Sequence, residues 1–377
     1  MLRHASWTLA SLLLLACSSE TAAPAQTPSD PGTTPPAEEQ PAAEAPPAKL
    51  PALTFERSDV AISPGRDHHA TTVIETSSGP WLYVFGGTDG WATMHNDVQR
   101  AKIAKDGKLG AFESAGKLPD PRAGHCMVKK GDKVYLFGGI IGVTATAPST
   151  TSVVLTLDAE GKIASSAPGP ELPVPVMHLA CELVGDTVYA LGGRGADNRS
   201  SSLSAITRIG SDGMPSAFES LAPLDPDRSH HAAFVRDKTL YVLGGIKGIT
   251  TSSKPNERKD VVGADILPDG KLGEWFVAGE LPEAVSVSSA QLYEGAVYII
   301  GGLEGSGFTS SIRRATFNAD GTLTKFTTLK TTLPDARGHV HQTPMFGQFI
   351  YSVGGKNDDN ESLGTVDVGT FDLSKLE

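Results

Sequence analysis

The sequence predicts an all-β fold, a six-bladed β-propeller, and three observations predict it. An apolar residue, a tyrosine, two further residues and a Gly-Gly pair recur six times after residue 52. The pairs begin at Gly86, Gly138, Gly192, Gly244, Gly301 and Gly354, at spacings of 52, 54, 52, 57 and 53 residues. Tight-turn dipeptides recur in phase with them: Asp106-Gly107, Glu160-Gly161, Asp212-Gly213, Asp269-Gly270 and Asp320-Gly321. A fixed period near 50 residues is the mark of a repeated supersecondary unit that buries its apolar faces against its neighbours.

Each unit reads as four strands. The first begins after segments such as LPDPRAGHCMV, and the second carries the tyrosine, as in KVYLFGG, with the β-branched and aromatic residues that suit a pleated surface. The third follows a polar loop. The Asp-Gly turn, read as a two-residue hairpin whose residues accept positive φ, leads to the fourth. Fourth strands carry Phe112, Phe218, Trp275 and Phe326, while the copy near Ser166 lacks the aromatic. After Gly354-Gly355 only one further strand remains, around Thr365 to Phe371. Leu53-Thr54-Phe55 aligns with the fourth strands, so the N-terminal strand is expected to complete the last blade and remove its open edge.

Ahead of the propeller, residues 1–16 read as a signal peptide, with Arg3 and His4 before an apolar run too short to span a bilayer. The run ends in Leu14-Leu15-Ala16-Cys17, which resembles the lipobox of bacterial lipoproteins. That resemblance implies lipidation at Cys17, and Ser18 behind it implies sorting to the outer membrane of the cell envelope. Residues 17–51 are rich in Pro, Ala, Glu and Thr and have too little apolar surface to offset ordering entropy. They read as a disordered stalk of up to roughly 100 Å. Residues 52–377 form the propeller.

The RxxH segments, the VYxFGG pattern and the period together resemble kelch repeats, which build radial propellers. Copies three and five lack the Arg, and the usual fourth-strand Trp is mostly Phe. Net charge is −11, which argues against nucleic acid and anionic lipid heads as partners. The three cysteines are too few for a disulfide scaffold. Cys126 and Cys181 fall one position out of phase on neighbouring first strands. Facing sheets lie ~10 Å apart, so two free thiols are expected rather than a bridge.

Strand alternation places the long polar loops at one end, including 88–97, 140–152, 194–202, 246–261 and 356–363, and short hairpins at the other. Long loops on a rigid scaffold are where binding residues gather. Histidines concentrate at the same end, where the first strands begin: His68, His69, His125, His178, His230, His231, His339 and His341, with Arg66, Arg122, Arg228 and Arg337 just upstream. Three readings stand for this collar. The residues hydrogen-bond between blades, or they hold an acidic ligand at the channel mouth, or the imidazoles meet around a metal. No carboxylate pattern behind the histidines supports the third, and no cofactor or metal is expected. Of the arginines, Arg122 is expected to be structural, and Arg66 and Arg337 exposed.

Enzyme signatures are sparse. Copper radical oxidases share the repeat, but only Tyr293 lies outside the second-strand tyrosines, near a short turn. No GxSxG, HExxH or sialidase box occurs. Asp358-Asp359-Asn360-Glu361 lacks the alternation and glycine of a calcium loop. The chain is also similar to six-bladed N-acetylneuraminate epimerases. That likeness implies an arginine for the sugar carboxylate and a base, for which His231 and Glu257 are candidates. The expectation is therefore a monomeric, membrane-anchored propeller that binds a protein or a glycan and has no assigned catalytic residue. A periplasmic sugar-processing enzyme is the alternative.

Overall fold

The computed structural model describes residues 49–90, 92–142, 147–250 and 256–376. The expected signal peptide, Cys17 and nearly all of the stalk lie outside the described residues. Among the described residues every regular element is a strand, and six four-stranded antiparallel sheets follow one another along the chain. In blade 1, Ala70–Thr76 is innermost, and Gly79–Phe85, Asp97–Lys102 and Glu113–Lys117 follow outward. The inner strands of blades 2 to 6 are Cys126–Lys130, Ala180–Val184, Ala232–Arg236, Ser289–Tyr293 and the shortened Met345–Phe346. They gather around a common axis.

Apolar residues alternate onto both faces of each sheet, so the core lies between blades. Ile74, Tyr83 and Phe85 of blade 1 pack with Val134, Leu136 and Leu155 of blade 2. The aromatics Phe112, Phe218, Trp275 and Phe326 sit one residue before the fourth strands rather than inside them. Closure occurs as the sequence predicts. Pro51–Ala61 pairs antiparallel with Thr365–Leu376, with Leu53 opposite Phe371 and Phe55 opposite Gly369.

The two sequence markers turn out to bind blades to each other. The second glycine of each pair donates its N–H to the next blade, as Gly87 does to Arg122 O at 2.8 Å and Gly355 to Arg66 O at 2.9 Å. The first glycine lies so close to that neighbour that a Cβ on Gly86 would meet Arg122 O at 2.4 Å. The hydroxyls of five of the six tyrosines, those of Tyr83, Tyr135, Tyr189, Tyr241 and Tyr351, then reach across to a turn. Tyr83 donates to Gly161 O at 2.8 Å, Tyr135 to Gly213 O at 2.9 Å, and Tyr351 to Gly107 O at 3.0 Å. Those turns are not two-residue hairpins. Gly107 N donates to Ala104 O at 3.0 Å and Ala104 N to Lys108 O at 2.8 Å, with positive φ only at the glycine. This is the three-residue loop that ends in a left-handed glycine.

The expectation of two free thiols is corrected. Cys126 and Cys181 form a disulfide with their Cα atoms 5.6 Å apart. The ~10 Å spacing belongs to sheets packed in parallel planes. Propeller blades converge on the axis, so their innermost strands approach far more closely than that.

Candidate functional site

The site is built where the six first strands begin. One residue per blade adopts positive φ there: His68, Gly124, His178, His230, Val287 and His339, with φ between 50° and 64°. That conformation turns each backbone N–H onto the carbonyl of the same position in the preceding blade. Gly124 N donates to His68 O, His178 to Gly124, His230 to His178, Val287 to His230, His339 to Val287, and His68 to His339, at 2.8–3.3 Å. The bonds form a closed circle that draws the chain tight across the axis at the loop-rich end.

The predicted histidines fall into three groups around this circle. His68, His178, His230 and His339 are members of it, and their rings crowd together. Centroids lie 4.0 Å apart for His68 and His339, 3.8 Å for His178 and His230, and 4.8 Å for His68 and His178. His341 stands two residues farther along, with its ring 5.7 Å from that of His178. His69, His125 and His231 follow the circle by one residue and pack between blades, the place taken by Leu179 in blade 3. There, carbon atoms of the His231 and Leu179 side chains crowd Gly192 and Gly138, the first glycines of the preceding blades. Burial pushes all of these imidazoles toward the neutral form, His69 and His231 to about 3 and His341 to about 4.

A carboxylate does stand behind one ring. Buried Asp67 contacts His68 Nδ1 through one oxygen and accepts from Ser362 Oγ at 2.7 Å through the other. Ser229 Oγ lies 2.8 Å from His230 Nδ1. The sequence reading missed Asp67, although an acidic residue directly before a His-His pair was a usable signal.

The arginines form no open collar. Arg66, Arg122, Arg228 and Arg337 are 0–2% exposed, which corrects the expected exposure of Arg66 and Arg337. Each guanidinium donates to the first glycine carbonyl of its own blade: Gly86 at 3.0 Å, Gly138 at 2.6 Å, Gly244 at 3.1 Å and Gly354 at 2.9 Å. Arg66 also pairs with Asp97, Arg228 with Asp260 and Arg337 with Asp367, while Arg122 takes Thr151. These are struts within blades. The bonds that run between blades come instead from the glycine N–H groups, the tyrosine hydroxyls and the backbone circle.

Glu257 is also committed elsewhere. It accepts Ser286 Oγ at 2.7 Å and Gly305 N at 2.8 Å, which ties its loop to blade 5. Asp358 accepts Phe308 N at 2.7 Å, so it latches two loops together. Tyr293 stacks on Phe371 with centroids 4.1 Å apart.

Below the circle the axis holds a cavity of about 450 Å³, lined among others by His341, Gln342, Glu182, Gln291, Thr71 and Lys129. Exposure of the first strands rises away from the circle, as in Cys126–Lys130, so the cavity communicates with the short-hairpin end. Gln342 accepts Thr71 N at 3.0 Å and donates to Met127 O at 3.4 Å, and so bridges the inner strands of blades 1 and 2. Burial raises Glu182 to about 8, which leaves a protonated carboxyl in the wall at neutral pH.

Comparison with known proteins gives a consistent picture of the fold. The profile of the KLHDC2/KLHL20/DRC7 Kelch-repeats domain matches residues 54–245. Kelch-like protein terF of Aspergillus terreus is 24% identical over 63% of this chain and 50% of its own length. Kelch-like protein 33 of Homo sapiens is 30% identical over 37% of this chain and 24% of its own. Rab9 effector protein with kelch motifs of Bos taurus is 38% identical over 21% of each. The chain spans half or less of the length of these relatives. The solved structure of YjhT superposes with a TM-score of 0.64 at 12% identity and covers 84% of this chain and 98% of its own. At that identity the likeness shows the fold.

Proposed function

Because the chain belongs to the kelch-repeat family, we propose that it is a membrane-tethered interaction propeller that offers its loop-rich end to a protein or glycan partner. One observation carries this reading. The hydrogen-bonded circle and its crowded histidines seal the axis at that end, so the loops frame a surface rather than a pocket. Latches between blades hold that surface in shape: Gly248 N donates to Ser200 Oγ at 2.6 Å and Gly90 N to Ser362 Oγ at 2.9 Å, beside the Glu257 and Asp358 contacts. Preordered loops lose less entropy on association. Exposed Ile249 and Val174, at 49% and 40%, supply apolar anchors on this end. A disulfide suits an oxidising compartment, in keeping with a signal at residues 1–16 and a lipid anchor at Cys17.

The test is capture from solubilised envelopes, together with a glycan array, using the full chain and an Ile249→Asp variant with Val174→Asp. The proposal expects a partner that the wild type retains and the variant loses, with the urea midpoint unchanged. A partner held equally by both proteins would remove the loop-rich end from the interface. Interconversion of N-acetylneuraminate epimers above the spontaneous rate would favour the sugar-processing reading instead. The channel around Glu182 and Gln342 is the room left for that chemistry.

A further inference from the structure

We propose that the axial histidines form a binding site for a divalent transition metal, Zn²⁺ by preference, held by His68, His178 and His339. One ring nitrogen from each of these residues lies within 4.8 Å of the others. They come from blades 1, 3 and 6, and the backbone circle fixes their Cα positions before any ion arrives. Tetrahedral Zn²⁺ bound at ~2.0–2.1 Å places its nitrogens about 3.4 Å apart, so small side-chain rotations complete the contraction.

Three features suit this cluster to an ion. Buried nitrogens on His178, His339 and His341 have no hydrogen-bond partner among the described residues. This holds for the inter-blade His69, His125 and His231 as well, but only the axial rings converge on one point. Asp67 orients His68 through Nδ1, the carboxylate–histidine arrangement that fixes ring and tautomer in metal sites. Imidazole donors without thiolate or further carboxylate ligands suit Zn²⁺, Ni²⁺ and Cu²⁺ and disfavour Ca²⁺ and Mg²⁺. His341 faces the same cluster and also lines the cavity, which gives an ion a route from the hairpin end. Bound there, the ion would pin three connectors on the axis.

Untagged protein is stripped with EDTA and titrated with Zn²⁺ by calorimetry, and with Co²⁺ by visible absorption. The expected result is one equivalent of Zn²⁺, a rise in melting temperature that follows occupancy, and Co²⁺ d–d bands of a nitrogen-ligated site. The key variant is His178→Asn with His339→Asn, since Asn tolerates the positive φ at both positions. It should keep the fold by circular dichroism and lose at least a hundredfold in affinity. His125→Leu, which lies outside the ligand set, should bind as the wild type does. Absence of stoichiometric Zn²⁺ binding, or full affinity in the Asn double variant, would overturn the proposal. If the double variant fails to fold, the wild-type Co²⁺ spectrum decides: bands of an oxygen-only, octahedral ion refute the site.

Discussion

Arg122 occupies a position at which a cation looks like a ligand contact, and its partners show a different task. Its guanidinium satisfies Gly138 O and, at 3.0 Å, Thr151 O, both inside the blade. Replacing Arg122 by Gln strands Gly138 O, while Thr151 O keeps the N–H of Gly138, so a loss of about 1–3 kcal/mol is expected. Urea denaturation measures it, and an unchanged midpoint would return the arginine to solvent. His231 has a different signature. Burial, then the neighbouring Arg228, holds its pKa at about 3 against an ordinary 6.5. The unfolded chain therefore binds the extra proton first, and stability drains away as pH falls from 6.5 toward 3. At pH 5 the expected deficit is ~2 kcal/mol. Leu179 shows that an aliphatic side chain fits the same place, so His231→Leu should recover about 1–2 kcal/mol at pH 5 and little at pH 8. Calorimetric melting at both pH values checks this, and equal shifts at the two would refute it.

At the scale of the element, the inner strands meet near the axis, and the Cys126–Cys181 bridge staples two of them. It closes a loop across 55 residues, for which loss of chain entropy predicts up to ~4 kcal/mol. Replacing both cysteines by Ser should lower stability by about 2–4 kcal/mol while near-ultraviolet dichroism keeps its shape. Free thiols found by alkylation of the unreduced, denatured wild type would show that the staple does not form. The tyrosines and the turn glycines were each visible as motifs, but their bonds join different repeats, 78 to 81 positions apart in four cases and 244 for Tyr351 and Gly107. Tyr189 and Gly270, 2.8 Å apart, are an example, and a pattern read within one repeat contains only one of the two partners.

For the whole molecule, Leu53 and Phe55 predicted closure correctly, because the missing fourth strand of the last unit had only one place from which to come. Deleting residues 51–61 should expose the edge of Thr365–Leu376 and lower the urea midpoint steeply, with a loss of cooperativity. A truncated chain as stable as the parent would show that blade 6 closes without this strand. Less of the site could be read in advance. The circle depends on positive φ at four histidines and a valine, residue types that give no local warning of it. Arg66 and Arg337 read as exposed because the Gly86 and Gly354 carbonyls and the Asp97 and Asp367 carboxylates that receive them lie about 17 to 31 positions away, with no local pattern to announce the pairing. The counts of blades and histidines were legible, whereas the division of those histidines into three groups required the fold.

The pairing of Pro51 with Leu376 brings the two ends of the propeller side by side. The six blades therefore trace a topological loop whose nick happens to lie in blade 6. A short peptide joining these ends would leave every blade contact as it is. The polypeptide could then be opened at an exposed connector between other blades, since insertion and permutation are tolerated at such surface sites. In such a permutant blade 6 would be continuous, the closing seam would lie elsewhere, and the axial circle would remain whole.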